Sequence, residues 1–482
     1  MKNRKDPSAA PRSARPAQPK SQQSAHPGQR PAAPVHALKP ARPATRVAAI
    51  QIESDPQLVT IEKPIYGGSF LARLDGKAMF VPLALAGEQV NVRIAEHKRG
   101  YATAEIDEIV VASPERVAAA CSHFGACGGC NYQHTGYAQQ LAIKESILRE
   151  TLQRAGVEAP VAIDVISGEP WAYRNRIRLA VDGQGRMGYR SRGSHALIAL
   201  DQCPIAAPEL MQAARVAEQI LGSGVSGLHP SEISLFANHD GTAMLMSVIV
   251  RTASRSPFES FAQALAKQVP ALRGAELVVE FPSEGRKPAP FPKPVAQWGA
   301  KFIHYTAAGH NYRVDLGAFF QVNRWLVDAL VERVTAGQAG TLAWDLFAGV
   351  GLFARVLAEN FERVVAVESA PSSVDALAAN LHGTTGKGLR AVTAEFLQRA
   401  KATEKPDLIV VDPPRAGLGP EVTTELSRMA APRLVYVSCD PATLGRDLKD
   451  LLSAGYSIEQ MAMADLFPQT FHLETVVHLR KS

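Results

Sequence analysis

Leu342-Ala343-Trp344-Asp345-Leu346-Phe347-Ala348-Gly349-Val350-Gly351 is an apolar run that opens into a glycine turn. A second run, Val364-Val365-Ala366-Val367, ends in Glu368, and a third, Leu408-Ile409-Val410-Val411, opens into Asp412-Pro413-Pro414-Arg415-Ala416-Gly417. A fourth, Leu434-Val435-Tyr436-Val437, opens into Ser438-Cys439-Asp440-Pro441. Helical stretches near 353–360 and 372–381 fall between the first strands. Apolar strands alternating with helices predict a doubly wound parallel sheet. In such a sheet ligands bind at the carboxyl ends of the strands, so these openings share one ligand-facing edge.

Nineteen residues separate Gly349 from Glu368. A glycine turn lets a ligand approach the backbone, and an acid about 20 residues later is placed to bond both hydroxyls of a ribose. Only Gly349 and Gly351 stand where a dinucleotide fingerprint has three glycines, and no Gly-Lys-Ser/Thr loop offers a triphosphate site. S-adenosylmethionine, which has a ribose and no phosphate, fits better than NAD or ATP. A structural glycine turn beside an incidental acid is the competing reading. Cys439 falls beside this cofactor edge; a strand-end cysteine is more often a small buried hydrophobe, but its position favours a nucleophile.

At roughly 150 residues per domain, 482 residues suggest about three domains. With 46% hydrophobic and 20% charged residues the chain is globular in composition, which excludes collagenous, coiled-coil and wholly disordered classes. No apolar run approaches the ~18 residues of a membrane span. The net charge is +6, of which the first 46 residues carry +9, so the remaining 436 sum to −3. Nucleic-acid affinity in the folded part must therefore come from local patches. Residues 1–46 hold nine prolines and almost no large apolar residue, and read as a disordered basic tail. It could hold RNA nonspecifically or be a solvated extension; nine prolines speak against the amphipathic helix of a transit peptide.

From Val47 to residue 112, short alternating runs broken by glycine predict a small antiparallel barrel, with Asp75-Gly76 as a tight hairpin turn. Leu141, Ile143, Ile147, Leu148 and Leu152 have helical spacing and predict one buried face over 137–155, with the charges opposite. Residues 113–310 read as a central mixture of strands and helices, with a proline-rich loop at 282–294. Trp171-Ala172-Tyr173-Arg174-Asn175-Arg176-Ile177-Arg178-Leu179, followed by Arg186, Arg190 and Arg192, is the strongest basic patch. Strand alternation would project Arg174, Arg176 and Arg178 together, with Trp171, Tyr173 and Tyr189 free to stack bases. A solvated arginine face is the alternative.

Five cysteines are too few and too unevenly spaced for a disulfide scaffold, and three fall within ten residues. That clustering, with no apolar signal segment at the N-terminus, predicts a reducing cytoplasm and metal binding or catalysis. The cluster reads Cys121-Ser122-His123-Phe124-Gly125-Ala126-Cys127-Gly128-Gly129-Cys130, and Cys203 completes four thiols. Small residues between the thiols let the backbone wrap a metal centre, and four-thiolate zinc is an open reading because CxxC is also a zinc signature.

Four motifs in order carry a resemblance: Phe320-Gln321-Val322-Asn323, the Asp412-to-Gly417 loop, Tyr436-Val437-Ser438-Cys439-Asp440-Pro441-Ala442-Thr443-Leu444, and His472-Leu473-Glu474-Thr475-Val476. The chain resembles the RNA 5-methyluridine methyltransferase family, in particular its iron-sulfur branch that modifies 23S rRNA and carries a TRAM domain, a small RNA-binding barrel. Tyr66-Gly67-Gly68 through Phe80-Val81-Pro82 is similar to that barrel. The resemblance implies a class I methyltransferase domain at 311–482 in which Gln321, Phe347, Glu368 and Asp412 contact S-adenosylmethionine. It further implies Cys439 as nucleophile, Glu474 as general base, and Cys121, Cys127, Cys130 and Cys203 as ligands of a [4Fe-4S] cluster, with structured RNA as partner. Asn131-Tyr132-Gln133-His134, Tyr137, Gln140 and Lys144 continue the pattern. One departure is Leu352, where some family members have Asn.

The chemistry explains these residue types on its own. Carbon 5 of uracil is a weak nucleophile until a thiolate adds at carbon 6, so a cysteine is required. A carboxylate must then remove the carbon 5 proton so that the thiolate can leave. Glu474 is the candidate; a solvated glutamate on a C-terminal strand is the alternative. A cytosine-5 RNA enzyme is disfavoured by the lack of a cysteine directly after Asp412-Pro413-Pro414. A noncatalytic iron-sulfur RNA-binding protein is disfavoured by Cys439 and Glu474 together. A tRNA uridine-5 enzyme is disfavoured because the bacterial tRNA branch generally lacks both the cysteine cluster and the barrel.

Overall fold

The computed structural model describes residues 55–224, 227–280, 294–401 and 403–481. The basic tail and most of the proline-rich loop lie outside them.

Five strands, Gln57–Pro64, Ser69–Leu74, Lys77–Pro82, Gln89–Lys98 and Tyr101–Val111, close into a barrel in the order first, second, third, fifth, fourth. Alternate side chains such as Val59, Ile61, Phe70, Ala72, Met79, Val81, Val90 and Val92 fill it. Asp75 and Gly76 both take positive φ, 51° and 79°, as the two-residue hairpin requires. The expected antiparallel pattern is broken once: the third strand pairs parallel with the fifth, with Ala78 opposite Tyr101. The long fourth-to-fifth hairpin folds back past the third strand and closes the barrel there.

The helix Tyr137–Ala155 follows, burying Ile143, Ile147, Leu148 and Leu152. One expectation fails on it, because Lys144 lies on the buried face and not among the solvated charges. It survives there because its ammonium meets the Asp465 carboxylate at 2.6 Å with both side chains fully buried. A seven-stranded sheet forms the central part, ordered Pro294–Gly299, Leu272–Val279, Met244–Val250, Pro230–Ala237, Arg176–Val181, Met187–Arg190 and Leu197–Ala199. The helices Pro208–Gly222 and Arg255–Gln268 cover it with Leu210, Met211, Phe258 and Phe261.

The basic patch is not the solvent-facing array that its spacing suggests. Arg174 precedes the strand and turns inward, its guanidinium 5.9 Å above the Phe467 ring. Arg176 donates to the Ala318 carbonyl at 2.7 Å and lies 4.4 Å over Phe236. Arg178 is exposed but pairs with Glu232. Tyr173 is fully buried, its hydroxyl donating to the Pro468 carbonyl at 3.0 Å. Planar guanidinium groups can be buried against rings and carbonyls, which strand alternation alone cannot foresee.

The C-terminal sheet has eight strands, ordered Gly386–Arg390, Phe361–Glu368, Gly340–Leu346, Leu408–Val411, Arg433–Ser438, Glu474–Lys481, Tyr456–Ala464 and Asp164–Ile166. The first five run parallel. Glu474–Lys481 is inserted antiparallel between Arg433–Ser438 and Tyr456–Ala464, so the sheet is mixed rather than wholly parallel. Two apolar clusters occupy opposite faces, as a doubly wound sheet requires. One runs without interruption from barrel residues Phe70 and Val81 through Ile147 and Leu152 to Leu444, Leu448 and Trp344. The barrel and the large sheet thus share one core, and a side chain of the barrel can be fixed relative to the sheet edge. No helix among the described residues is long and apolar enough to cross a membrane.

Candidate active site

The carboxyl ends of four neighbouring strands carry the candidate residues. After Gly340–Leu346 the chain turns sharply: Phe347, Gly349 and Gly351 all have positive φ, at 65°, 54° and 89°. Glycine takes this conformation freely, whereas Phe347 is strained in it, a feature that clusters at ligand sites. The turn is anchored from the next strand, because the Gly349 N–H donates to Glu368 at 2.8 Å. Glu368 also accepts from the Ser369 and Ala370 N–H groups, each at 2.6 Å. These two and a 3.5 Å bond from the Ser369 hydroxyl all fall on Oε1, whereas Oε2 accepts only from Gly349 and keeps a lone pair for a ligand hydroxyl. Leu352, at the departure from the family pattern, packs its side chain into the core.

Three further acids complete the edge. Asp345 is fully buried, accepts from the Ala354 N–H at 2.9 Å, and is pushed up to about 8 by burial, with the charges of Asp412 and Glu368 adding to the effect. Burial pushes Asp412 up to about 7. Glu474 is raised well above the usual carboxylate range, first by burial and then by Asp412, while Arg415 opposes the shift. Like charges this close cannot all ionise, so Asp412 and Glu474 titrate as a pair.

Cys439 and Glu474 come together through strand register. Ser438 pairs with Thr475 across the antiparallel ladder, which places the next residue, Cys439, against Glu474. Beyond Cys439, Asp440 caps the helix Pro441–Ser453 by accepting from the Ala442 and Thr443 N–H groups at 2.9 and 3.1 Å. Burial pushes the Cys439 thiol up to about 12; Glu474 and Asp412 add to this, and Arg415 is the neighbour whose charge favours the thiolate. Gln321 is buried in the segment before the first strand, its carbonyl accepting from Asn175 at 2.9 Å. Among the described residues no hydrogen bond joins its side chain to these acids.

Four residues of this edge had no role assigned from sequence. Asp345, Arg415 and His472 lay inside recognised motifs, and their signal was adjacency alone. Arg415 reaches His472 at 3.2 Å. Tyr66 was read only as part of the TRAM-like stretch, 373 positions from Cys439, yet its hydroxyl lies 3.5 Å from the Cys439 carbonyl and its ring meets Phe471 edge-on at 5.5 Å.

The other four cysteines line one cavity of about 250 Å³ with Arg174, Tyr189, Gln133 and His472. None of the four is paired in a disulfide. Burial pushes Cys127 and Cys203 up and Cys130 up to about 12. The Tyr189 hydroxyl and Arg174 Nε are buried there with no hydrogen-bond partner among the described residues. Among the described residues no three His, Cys, Asp or Glu side chains converge closely enough to grip a single metal ion.

A family profile described as tRNA (Uracil-5-)-methyltransferase matches residues 305–482, and a TRAM domain profile matches 55–106. The chain is 34% identical over 443 residues to the 23S rRNA (uracil(1939)-C(5))-methyltransferase of Halomonas elongata, covering 87% of this chain and 89% of that protein. It is 35% identical over 439 residues to the protein of the same description from Pseudomonas putida, covering 87% and 92%. The chain belongs to the RNA uracil-5-methyltransferase family. A solved structure of the Pyrococcus abyssi tRNA (uracil-54, C5)-methyltransferase, in complex with S-adenosyl-L-homocysteine, matches with a TM-score of 0.68 and 23% identity over 87% of this chain and 99% of that one. That structure shares the fold, and this chain joins a TRAM barrel to the class I methyltransferase sheet of an S-adenosylmethionine-dependent family.

The raised thiol yields a pH prediction. A thiol far below its pKa gains about tenfold in thiolate per pH unit. Alkylation of Cys439 by iodoacetamide in the free enzyme, followed on its peptide by mass spectrometry, should climb at that slope from about pH 7 to 10 without a plateau. Glu474→Gln removes a negative neighbour and should raise the rate at each pH. A plateau below about pH 9 would contradict this electrostatic picture.

Proposed function

We propose that this enzyme methylates carbon 5 of a uridine in 23S rRNA, with Cys439 as nucleophile and Glu474 as general base. The observation that carries the reading is the register that sets these two side chains against each other at the cofactor edge of the sheet. The choice of 23S rRNA rests on relatives of that description at 32–35% identity, together with the cysteine set and barrel.

The Cys439 sulfur adds to carbon 6 of the flipped uracil, and the ring electrons move to give an enolate with carbanion character at carbon 5. Bound S-adenosylmethionine supplies the methyl group, whose bond to sulfur breaks as carbon 5 attacks it. Glu474 then takes the proton from carbon 5; the released electron pair re-forms the carbon 5–carbon 6 double bond and expels the Cys439 thiolate. A carboxylate with a raised pKa is a stronger base than an ordinary one, and burial, with Asp412 beside it, raises that of Glu474. Gln321, Phe347, Glu368 and Asp412 are the proposed cofactor contacts: Glu368 has acceptor capacity for the ribose, and the strained Phe347 turn opens the backbone beside it.

Cys121, Cys127, Cys130 and Cys203 fit a [4Fe-4S] cluster. Four thiols surround a cavity of about 250 Å³ rather than a point, whereas a zinc ion needs all four sulfurs about 2.3 Å from one centre. The cluster would cross-link segments of the chain, and methyl transfer by this route needs no electron from it. The working domain division is 1–46 tail, 47–112 barrel, 113–310 central part and 311–482 methyltransferase part, and the expected location is the cytoplasm.

Two experiments test these assignments. Glu474→Gln incubated with substrate RNA and labelled S-adenosylmethionine should give a slow-migrating, methyl-labelled protein–RNA band on a denaturing gel. That band should vanish in the Cys439→Ala, Glu474→Gln double variant. Wild-type turnover by Glu474→Gln would overturn the base, and a band persisting in the double variant would overturn the nucleophile. Separately, protein purified without oxygen should be brown, with iron and sulfide, and lose the colour in Cys130→Ser, since thiolate-to-iron charge transfer absorbs visible light and zinc does not. Colourless protein with stoichiometric zinc would overturn the cluster.

A further inference from the structure

The turn between the last two strands, residues 465–473, leads directly into Glu474 and contains no regular element. Its backbone is nonetheless held at nearly every position. Lys144 bonds Asp465 Oδ1 at 2.6 Å and donates to the Phe467 carbonyl at 3.0 Å. Asn323 donates to the Leu466 carbonyl at 3.2 Å and Tyr173 to that of Pro468 at 3.0 Å. Gln469 is left-handed, with φ of 68°, a conformation that a non-glycine residue keeps only when its surroundings impose it.

What imposes it is a reciprocal pair of bonds between the Gln140 side-chain amide and Gln469, one to its backbone and one to its side chain. The Gln469 N–H donates to Gln140 Oε1 at 3.0 Å, and Gln140 Nε2 donates to Gln469 Oε1 at 3.0 Å. The two hydrogens of that Gln140 nitrogen are shared between Gln469 Oε1 and the carbonyls of Tyr132 and Thr135, at 3.1 and 3.0 Å. The Gln469 carbonyl accepts from the N–H groups of Asn131 and Tyr132, at 2.8 and 3.0 Å. Asn131 Oδ1 accepts from the Phe471 N–H at 3.3 Å. Asn131 directly follows Cys130, and His472 lines the four-cysteine cavity while touching Arg415 beside Cys439. The barrel closes this contact from outside: a Cβ at Gly68 would stand 2.7 Å from the Asn131 amide nitrogen, so only glycine fits.

We propose that Asn131, Gln140 and Lys144 are positioning residues for the general base: they hold the 465–473 turn so that Glu474 faces the carbon 5 proton of the Cys439-bound ring. The segment that carries the cysteines thereby reaches the proton-abstraction step, and not only RNA binding. All three act through their bonds to the turn. Lys144 fixes the start of the turn through a charge pair that cannot be hydrated, Gln140 fixes its left-handed apex, and Asn131 fixes its exit two residues before Leu473. The inference rests on Glu474 being the base.

The distinguishing readout is which step slows. In single-turnover reactions with substrate RNA and labelled S-adenosylmethionine, Asn131→Ala and Gln140→Ala should form the covalent methylated adduct at close to the wild-type rate. They should resolve it on the order of 10- to 100-fold more slowly, the cost of a misplacement of about 1 Å. Asn131→Asp keeps an oxygen to accept the Phe471 N–H and should restore resolution. Asn131→Ala removes a single side-chain bond, so it serves if Gln140→Ala fails to fold. Glu474→Gln is run beside them. Should it trap the adduct while Asn131→Ala and Gln140→Ala show formation and resolution slowed equally, or neither slowed, the positioning role is overturned and the base stands. Should Glu474→Gln itself release product at the wild-type rate, the base assignment falls, and the proposal with it.

Discussion

The antiparallel pairing of Glu474–Lys481 with Arg433–Ser438 is the constraint on which the rest of the site depends. Strand period is two, so a slip of one residue would turn the Glu474 side chain to the other face of the sheet. Thr475 opposite Ser438 keeps Cys439 and Glu474 on one face at the edge where the parallel strands end. Everything else at that edge adjusts the chemistry of this pair. Burial raises both groups and Asp412 adds to it, Arg415 draws the thiol back towards ionisation, and Asp440 ties Cys439 to the start of a helix.

The same register has to be defended from outside the sheet, because the 465–473 turn that enters the strand has no regular hydrogen bonding of its own. The buried Lys144–Asp465 pair fits this need better than a stabilising one. Taking two charges out of water costs several kcal/mol per ion, and their attraction roughly repays it. An apolar pair would fill the same space, but it would not single out one placement of the turn. A shared apolar core lets the barrel take part as well: Tyr66 can lie against the Cys439 carbonyl because Phe70, Ile147 and Leu444 belong to one packed cluster.

Legibility followed how local each signal was. The strands of the large sheet, the glycine turn and the acid of the second strand could be read because a few neighbouring residues determine each. The pairing of Cys439 with Glu474 was readable only through family resemblance, as they stand 35 positions apart and only the ladder brings them together. The basic strand misled because charge suggests solvent, whereas Arg174 and Arg176 found ring and carbonyl partners inside. Lys144 misled in the same way, its partner lying 321 residues away. Tyr66 was read only as part of the barrel, since nothing near it in sequence hints at the cysteine it approaches.

The central claim is that Cys439 bonds the uracil ring and that proton removal from carbon 5 is the step that frees it. RNA carrying 5-fluorouridine at the target position tests both parts at once, because fluorine at carbon 5 leaves no proton to remove after methylation. Incubation with the wild-type enzyme and S-adenosylmethionine, followed by nuclease and protease digestion and mass spectrometry, should yield a Cys439 peptide carrying a methylated fluorouridine nucleotide. An adduct on any other residue, or free methylated RNA with no adduct, would contradict the account.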